Sequence, residues 1–143
     1  MDPPNRLTLP ATADSIAAFS QFVCSGAVAA GIASHQFEKL DLVLEEILIN
    51  VARYAYSPET GVVEVACWSA GDGKLRVEVI DFGRVFNPLD AAPPDLSLGL
   101  ADRPIGGLGV FLVRSLVDSI AYRREDNRNI LSFTFPRVVP VSE

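Results

Sequence analysis

Twenty residues in the middle of the chain, VVEVACWSAGDGKLRVEVID, leave little choice of local structure. Apolar residues alternate at Val63, Val65 and Cys67, the run Gly71-Asp72-Gly73 interrupts them, and alternation resumes at Leu75, Val77 and Val79. A period of two puts each set on one face of a strand, and a short Gly/Asp turn between two such runs predicts a β-hairpin. An apolar sheet face must be buried against another layer, so the rest of the chain has to supply a cover.

The flanking segments do so with a different period. ADSIAAFSQFVCSGAVAAGI carries apolar residues at Ile16, Phe19, Val23 and Val28 and predicts a first helix, frayed near Gly26 and closed by Gly31. A second helix is expected from Ser34, as N-cap, to Tyr54 or Tyr56, with Leu40, Leu44, Ile47 and Val51 on one stripe. Val110, Val113, Leu116 and Val117 mark a third helix in GGLGVFLVRSLVDSI. NRLTLP reads as a leading strand ended by Pro10, and IAYRRED and NILSFTFP as a closing hairpin around DNRN. The order β, α, α, β, β, long loop, α, β, β predicts an α/β (α+β) two-layer sandwich. Its sheet should be mixed and mostly antiparallel, with the helices on one face, in a single domain over residues 1–143.

Composition narrows the partners. The chain has 143 residues, 49% of them hydrophobic and 21% charged, and a formal net charge of −6. An acidic surface repels phosphate backbones and anionic lipid, and the adjacent Arg123 and Arg124 are followed at once by Glu125 and Asp126. Direct nucleic-acid or membrane binding is therefore not expected. The first ten residues contain no apolar signal-peptide core, and no run approaches the roughly 18 apolar residues of a membrane span. Cys24, Cys67 and the single His35 form no zinc-type ligand set, and the cysteines read as two buried thiols of a reducing cytoplasm.

Three local features could carry chemistry. Glu46 and Asn50 are four residues apart, which stacks a carboxylate over a carboxamide on a second face of the second helix. A neutral amide oxygen can join the oxygen shell of a magnesium ion, and a carboxylate one turn away can accept a proton. A solvated acidic face explains Glu46 equally well, but Asn50 has only Leu48, Ile49 and Val51 around it. Asp81 ends an apolar strand, and Gly83 after it permits φ > 0 or close approach of a ligand; a plain polar strand end and turn is the alternative. Gly106, Gly107 and Gly109 precede the third helix, where free amides favour an anion. The spacing is neither the dinucleotide fingerprint nor a Walker A loop.

Taken in order, Glu-x-x-x-Asn on a helix, Asp-x-Gly after a strand and Gly-x-Gly at a helix start resemble the Bergerat-fold ATPases, which include histidine-kinase catalytic domains. Within that group DFGRVFNP, GGLGVFLVRSLVD and NRNILSFTF are most similar to the bacterial anti-sigma-factor serine-protein kinases, over about Leu7 to Phe135. The resemblance implies ATP and Mg2+ as ligands, with Asn50 on the metal, Glu46 as general base toward a serine hydroxyl, Asp81 on the adenine amino group and Gly83 beside the base. It also implies backbone amides of Gly107, Leu108 and Gly109 on the phosphates and a nucleotide lid over about 88–105; Arg53, on the same helix face as Asn50, could contact phosphate, with a solvent-exposed arginine as the equal alternative. It further implies an antagonist protein and a sigma factor as partners, a homodimer, and a cytoplasmic location. A partner-binding module of the same fold without kinase activity is the alternative, and a detached histidine-kinase catalytic domain a third class. The pattern departs from the family at Val85, where a second glycine is common, and at Tyr54, where a histidine is.

Overall fold

The computed structural model describes residues 5–56, 59–90 and 107–137. Strand β1 (Asn5–Pro10) leads into helices α1 (Ala13–Ala29) and α2 (Phe37–Asn50); then follow β2 (Val62–Gly71), β3 (Lys74–Asp81), α3 (Gly107–Leu116), β4 (Ser119–Glu125) and β5 (Arg128–Phe135). The strands form one sheet in the order β1-β2-β3-β5-β4. Every pairing in it is antiparallel, where the sequence pattern allowed a mixed sheet.

Both hairpins turn as their sequences require. Asp72 and Gly73 take φ of 55° and 73°, and Asp126 and Asn127 take 51° and 61°. Two left-handed residues make the type I′ turn whose twist matches the flanking strands. The inner sheet face carries Val63, Val65, Leu75, Val77, Leu131 and Phe133, all buried. The helices cover that face with Phe19, Val23 and Ala27 from α1 and with Leu40, Leu44 and Ile47 from α2. Val113 of α3 and Val117 just beyond it complete the cluster. The outer face is tied by side chains instead, with Arg6 on Glu64, Arg123 on Glu78, and the Arg76 guanidinium 5.8 Å from the Trp68 ring centroid.

Three local expectations need correction. Helix α1 does not fray at Gly26 but runs on to Ala29 and closes at Gly31, with φ of 85°. The Ile32 amide bonds the Ala27 carbonyl at 3.0 Å and the Gly31 amide that of Val28 at 3.1 Å, a Schellman closure. Ser34 does not cap α2; it opens a 3-10 turn, Ser34–Gln36, that feeds into the helix. Beyond Asn50 the helix widens into a π turn, Val51–Ala55. Cys67 is buried as expected, but Cys24 is only half-buried and donates to Asp41 of α2 at 3.4 Å; burial, with Asp41 beside it, pushes its thiol up to about 11.

Gly26 has a packing reason. A Cβ at this position would lie 2.8 Å from Cys67 Sγ, so α1 crosses β2 where only glycine fits. Alanine would gain up to about 1 kcal/mol in helix propensity, whereas overpacking a dense core costs roughly 1–3 kcal/mol. Gly26→Ala is therefore expected to destabilise the fold in denaturant unfolding. Adding Cys67→Ala should make the double variant more stable than the sum of the single changes predicts. A stabilised Gly26→Ala protein would show that the helix can shift away.

Candidate functional site

The buried polar residues of the inner face, Asp81 and Asn129, stand side by side in one row at one end of the sheet. Register places Val63 of β2 opposite Asp81 of β3, Asp81 opposite Asn129 of β5, and Asn129 opposite Arg124 of β4. At the other end of the same face Leu75 stands opposite Phe135, both apolar and buried. Strand alternation makes Asp81 and Asn129 continue the inward sets Leu75-Val77-Val79 and Leu131-Phe133-Phe135, so both are buried.

Asp81 is 2% exposed, and burial raises its carboxyl above the ordinary value of 3.8, against the pull of Asn129, the Gly83 amide and Arg124. Asn129 Nδ2 donates to Asp81 Oδ1 at 2.8 Å and the Gly83 N–H donates to the same oxygen at 3.0 Å. Among the described residues no donor reaches Oδ2. Asn129 Nδ2 also donates to the Arg84 carbonyl at 2.7 Å, while its Oδ1 accepts from the Tyr122 hydroxyl at 2.6 Å, Arg124 Nη1 at 3.1 Å and the Phe86 amide at 3.2 Å.

The carboxylate faces a cleft between sheet and helices. Two small adjoining hollows share Ile47, Asn50, Pro88 and Leu131; one, about 20 Å³, reaches Asp81, Tyr122 and Asn129, and the other, about 10 Å³, reaches Val110 and Val113 of α3. Asn50 lines both. It is 7% exposed, yet among the described residues nothing hydrogen-bonds its carboxamide. No buried side-chain polar atom among the described residues lacks a partner, so the carboxamide, free of protein hydrogen bonds there, keeps access to the cleft, where a ligand or water can reach it. Its oxygen fits the oxygen shell of a hard cation such as magnesium. Glu46, one turn earlier, packs on the first turn of α3, where a Cβ on Gly109 would overlap its carboxylate. Gly107 and Leu108 begin that helix.

The structure thus brings Asn50 and Asp81 to one cleft; Glu46 and Gly109 line neither hollow but meet each other one turn from Asn50. Arg53 is exposed on the π turn and also lines neither hollow. Gly83 does not have φ > 0, and its close approach is to protein, since a Cβ there would overlap the Ala55 carbonyl. Most of the expected lid, residues 91–105, lies outside the described residues; Pro88–Asp90 forms a 3-10 turn. Val85 is 68% exposed and does not have φ > 0, so it needs no glycine conformation, and Tyr54 stacks on Phe86 with ring centroids 5.1 Å apart.

Sequence reasoning missed Asn129, Tyr122, Arg124 and Tyr56. Tyr56 donates to the Val62 carbonyl and accepts from the Phe82 amide, both at 2.7 Å, tying the end of α2 to both strands of the first hairpin. The signal for Asn129 was available, because NILSFTF puts it on the face of Leu131 and Phe133, where an amide needs partners.

Sheet, helices and cleft together define a histidine kinase-like ATPase domain, and the chain belongs to that family, which it matches over residues 9–135. Its relatives include Serine-protein kinase RsbW of Bacillus mycoides, 23% identical over 130 residues that make up 88% of this chain and 81% of that protein. RsbW of Bacillus anthracis is 25% identical over the same shares of both chains. The crystal structure of RsbU and RsbW domains from Mycobacterium tuberculosis superposes with a TM-score of 0.61 at 20% identity, covering 97% of this chain and 35% of that one, and supports the fold. No helix among the described residues is long and apolar enough to cross a membrane.

The raised Asp81 carboxyl has a consequence for stability. As pH rises above 3.8 the unfolded chain ionises first while the folded one keeps its proton, so the residue's contribution falls until the folded group also ionises. Asp81→Asn keeps an acceptor for Gly83 and Asn129 but carries no buried charge. Its melting temperature at pH 7 should equal or exceed that of the wild type, with a flatter acid-side pH profile by calorimetry. A large loss of stability at pH 7 would mean that Arg124 outweighs burial.

Proposed function

We propose that the protein is a serine-protein kinase and anti-sigma factor. It binds Mg-ATP in the cleft, transfers the terminal phosphoryl group to a serine of an antagonist protein, and holds a sigma factor by protein contact. The observation that carries this reading is the carboxamide of Asn50, which lines the cleft without a protein hydrogen bond among the described residues, one turn from Glu46 and across the cleft from Asp81. The relatives named serine-protein kinase support it. We place the reaction in the cytoplasm, where ATP and the transcription apparatus are found, and infer a homodimer from the family likeness alone.

Each residue has a separate task. Asp81 Oδ2 accepts a hydrogen bond from the exocyclic amino group of adenine, while Val79 and Leu131 line the same end of the cleft. Asn50 offers its side-chain oxygen to the magnesium ion. The metal, when bound, neutralises charge on the phosphate oxygens. Backbone amides of Gly107, Leu108 and Gly109, at the positive end of the α3 dipole, meet the phosphates. Glu46 takes the proton from the attacking serine hydroxyl, giving phosphoserine and ADP. Arg53, exposed and outside the cleft, has no part in this scheme.

Glu46→Gln keeps shape and hydrogen-bonding capacity but lacks the basic carboxylate, so phosphotransfer to the antagonist should fall by roughly 10² to 10⁴ while ATP affinity hardly changes. Asn50→Ala should lose both, because a metal ligand acts on binding as well as turnover. Nucleotide calorimetry, melting temperature and labelled-phosphate transfer on the same preparations separate these effects from unfolding. A folded, ATP-binding Glu46→Gln protein working at the wild-type rate removes Glu46 from the mechanism. A wild-type protein that binds ATP and the sigma factor but transfers no phosphate would be the non-catalytic module.

A further inference from the structure

We propose that Asn129 is the positioning residue of the cleft: its carboxamide holds Asp81 by one oxygen, leaves the other unengaged, and pins the backbone of residues 84–86 beside it. No other described side chain bonds both the buried carboxylate and the loop that follows it on so many atoms. The two N–H donors of Nδ2 are engaged by Asp81 Oδ1 and the Arg84 carbonyl. Its oxygen receives Tyr122, Arg124 and the Phe86 amide. Turning the amide over would set its NH2 against the Arg124 guanidinium and the Phe86 N–H, and its oxygen against two acceptors, so the orientation is fixed by its surroundings.

The neighbours complete the clasp. Arg124 also donates to the Gly83 carbonyl at 2.9 Å, the Arg84 amide donates to the Ala55 carbonyl at 3.0 Å, and the Phe82 amide donates to Tyr56. The amides of Phe82, Gly83, Arg84 and Phe86 are thus all engaged by protein, and Val85 among them faces solvent. The loop is therefore held by side chains of the β4–β5 hairpin and the end of α2, and a second glycine is not required to shape it. Asn129 touches Asp81 rather than a ligand in this scheme, so its effect is indirect. Its consequence for adenine binding rests on the function proposed above.

The ionisable groups facing Asp81 are Tyr56 from the end of α2 and Tyr122 and Arg124 from β4; β5 contributes the neutral Asn129. Removing the Asn129 donor withdraws support from the charged carboxylate, so Asp81 should hold its proton to higher pH. Two variants divide the two halves of the amide. Asn129→Leu loses donors and acceptor together. Asn129→Asp keeps an acceptor for Phe86, Tyr122 and Arg124, but sets a second carboxyl against Asp81, so one of the pair must keep a proton.

The test is made first on the nucleotide-free protein. Carboxyl-carbon NMR titration should place Asp81 at higher pH in Asn129→Leu than in wild type. In Asn129→Asp, Asp81 and the introduced carboxyl should together retain a proton above the wild-type Asp81 titration. Amide exchange at Phe86 should quicken roughly tenfold or more in Asn129→Leu and stay slow in Asn129→Asp. Phe82, held by Tyr56, should stay slow in both, which distinguishes a local effect from unfolding. Adenine-nucleotide affinity should fall roughly tenfold or more in both variants at neutral pH, the scale of a lost hydrogen bond to a charged group. Wild-type Asp81 titration and wild-type Phe86 exchange in Asn129→Leu would overturn the inference. If both shift as stated while wild-type protein binds no adenine nucleotide, the positioning role stands and the proposed function fails.

Discussion

A carboxylate taken out of water at the end of an apolar strand is the constraint around which the cleft is built. Asp81 follows Val77 and Val79 onto the inner face, and burial alone would force a proton onto it. Hydrogen bonds from Asn129 and Gly83 and the charge of Arg124 oppose that tendency. Asn129 and Arg124 come from the neighbouring strands in a single cross-strand row, so sheet register assembles them. The far end of the same face, with Leu75 opposite Phe135, needs no such support and supplies packing instead. A polar end joined to an apolar end divides the layer between a hydrogen-bonded row and a packed one.

Much of this was legible in the sequence, for physical reasons that differ by element. Alternation and turn residues located both hairpins, since a period of two and a left-handed Asp-Gly or Asp-Asn pair have few other uses. The stripe Leu40, Leu44, Ile47 and Val51 located α2, and its spacing set Glu46 and Asn50 one turn apart. Register was not legible. Without it nothing connects Asp81 with Asn129, 48 residues later, or either with Arg124. The reasons for the glycines were also hidden: Gly83 and Gly109 are close-approach positions, one for the Ala55 carbonyl and one for the Glu46 carboxylate. Arg53 was placed with Asn50 on the assumption of a regular helix, but the helix changes to a π turn directly after Asn50 and leaves Arg53 exposed.

That π turn shows how the end of α2 serves two structures at once. The last carbonyls of a helix lack intrahelical donors. Here the Ala55 carbonyl accepts the Arg84 amide, and Tyr56, the next residue, bridges Val62 and Phe82. The helix end is thereby fastened to both strands of the first hairpin and to the loop after Asp81. Val85 stands in that loop without a positive φ, because the fastening, rather than a left-handed backbone, sets the loop's course.

The division of labour along α2 explains why the candidate chemistry lies where it does. Leu40, Leu44 and Ile47 are locked in the core, so the helix cannot rotate without breaking its packing. Asn50 and Glu46 inherit that rigidity, although neither belongs to the apolar cluster. Fixed groups can be aimed at a ligand without the entropic cost of ordering them on binding. Asp81 is fixed by a different device, the row of hydrogen bonds across the sheet. The cleft therefore has two independently rigid walls, a packed helix and a bonded sheet edge, and a molecule spanning Asn50 and Asp81 would meet both already in place.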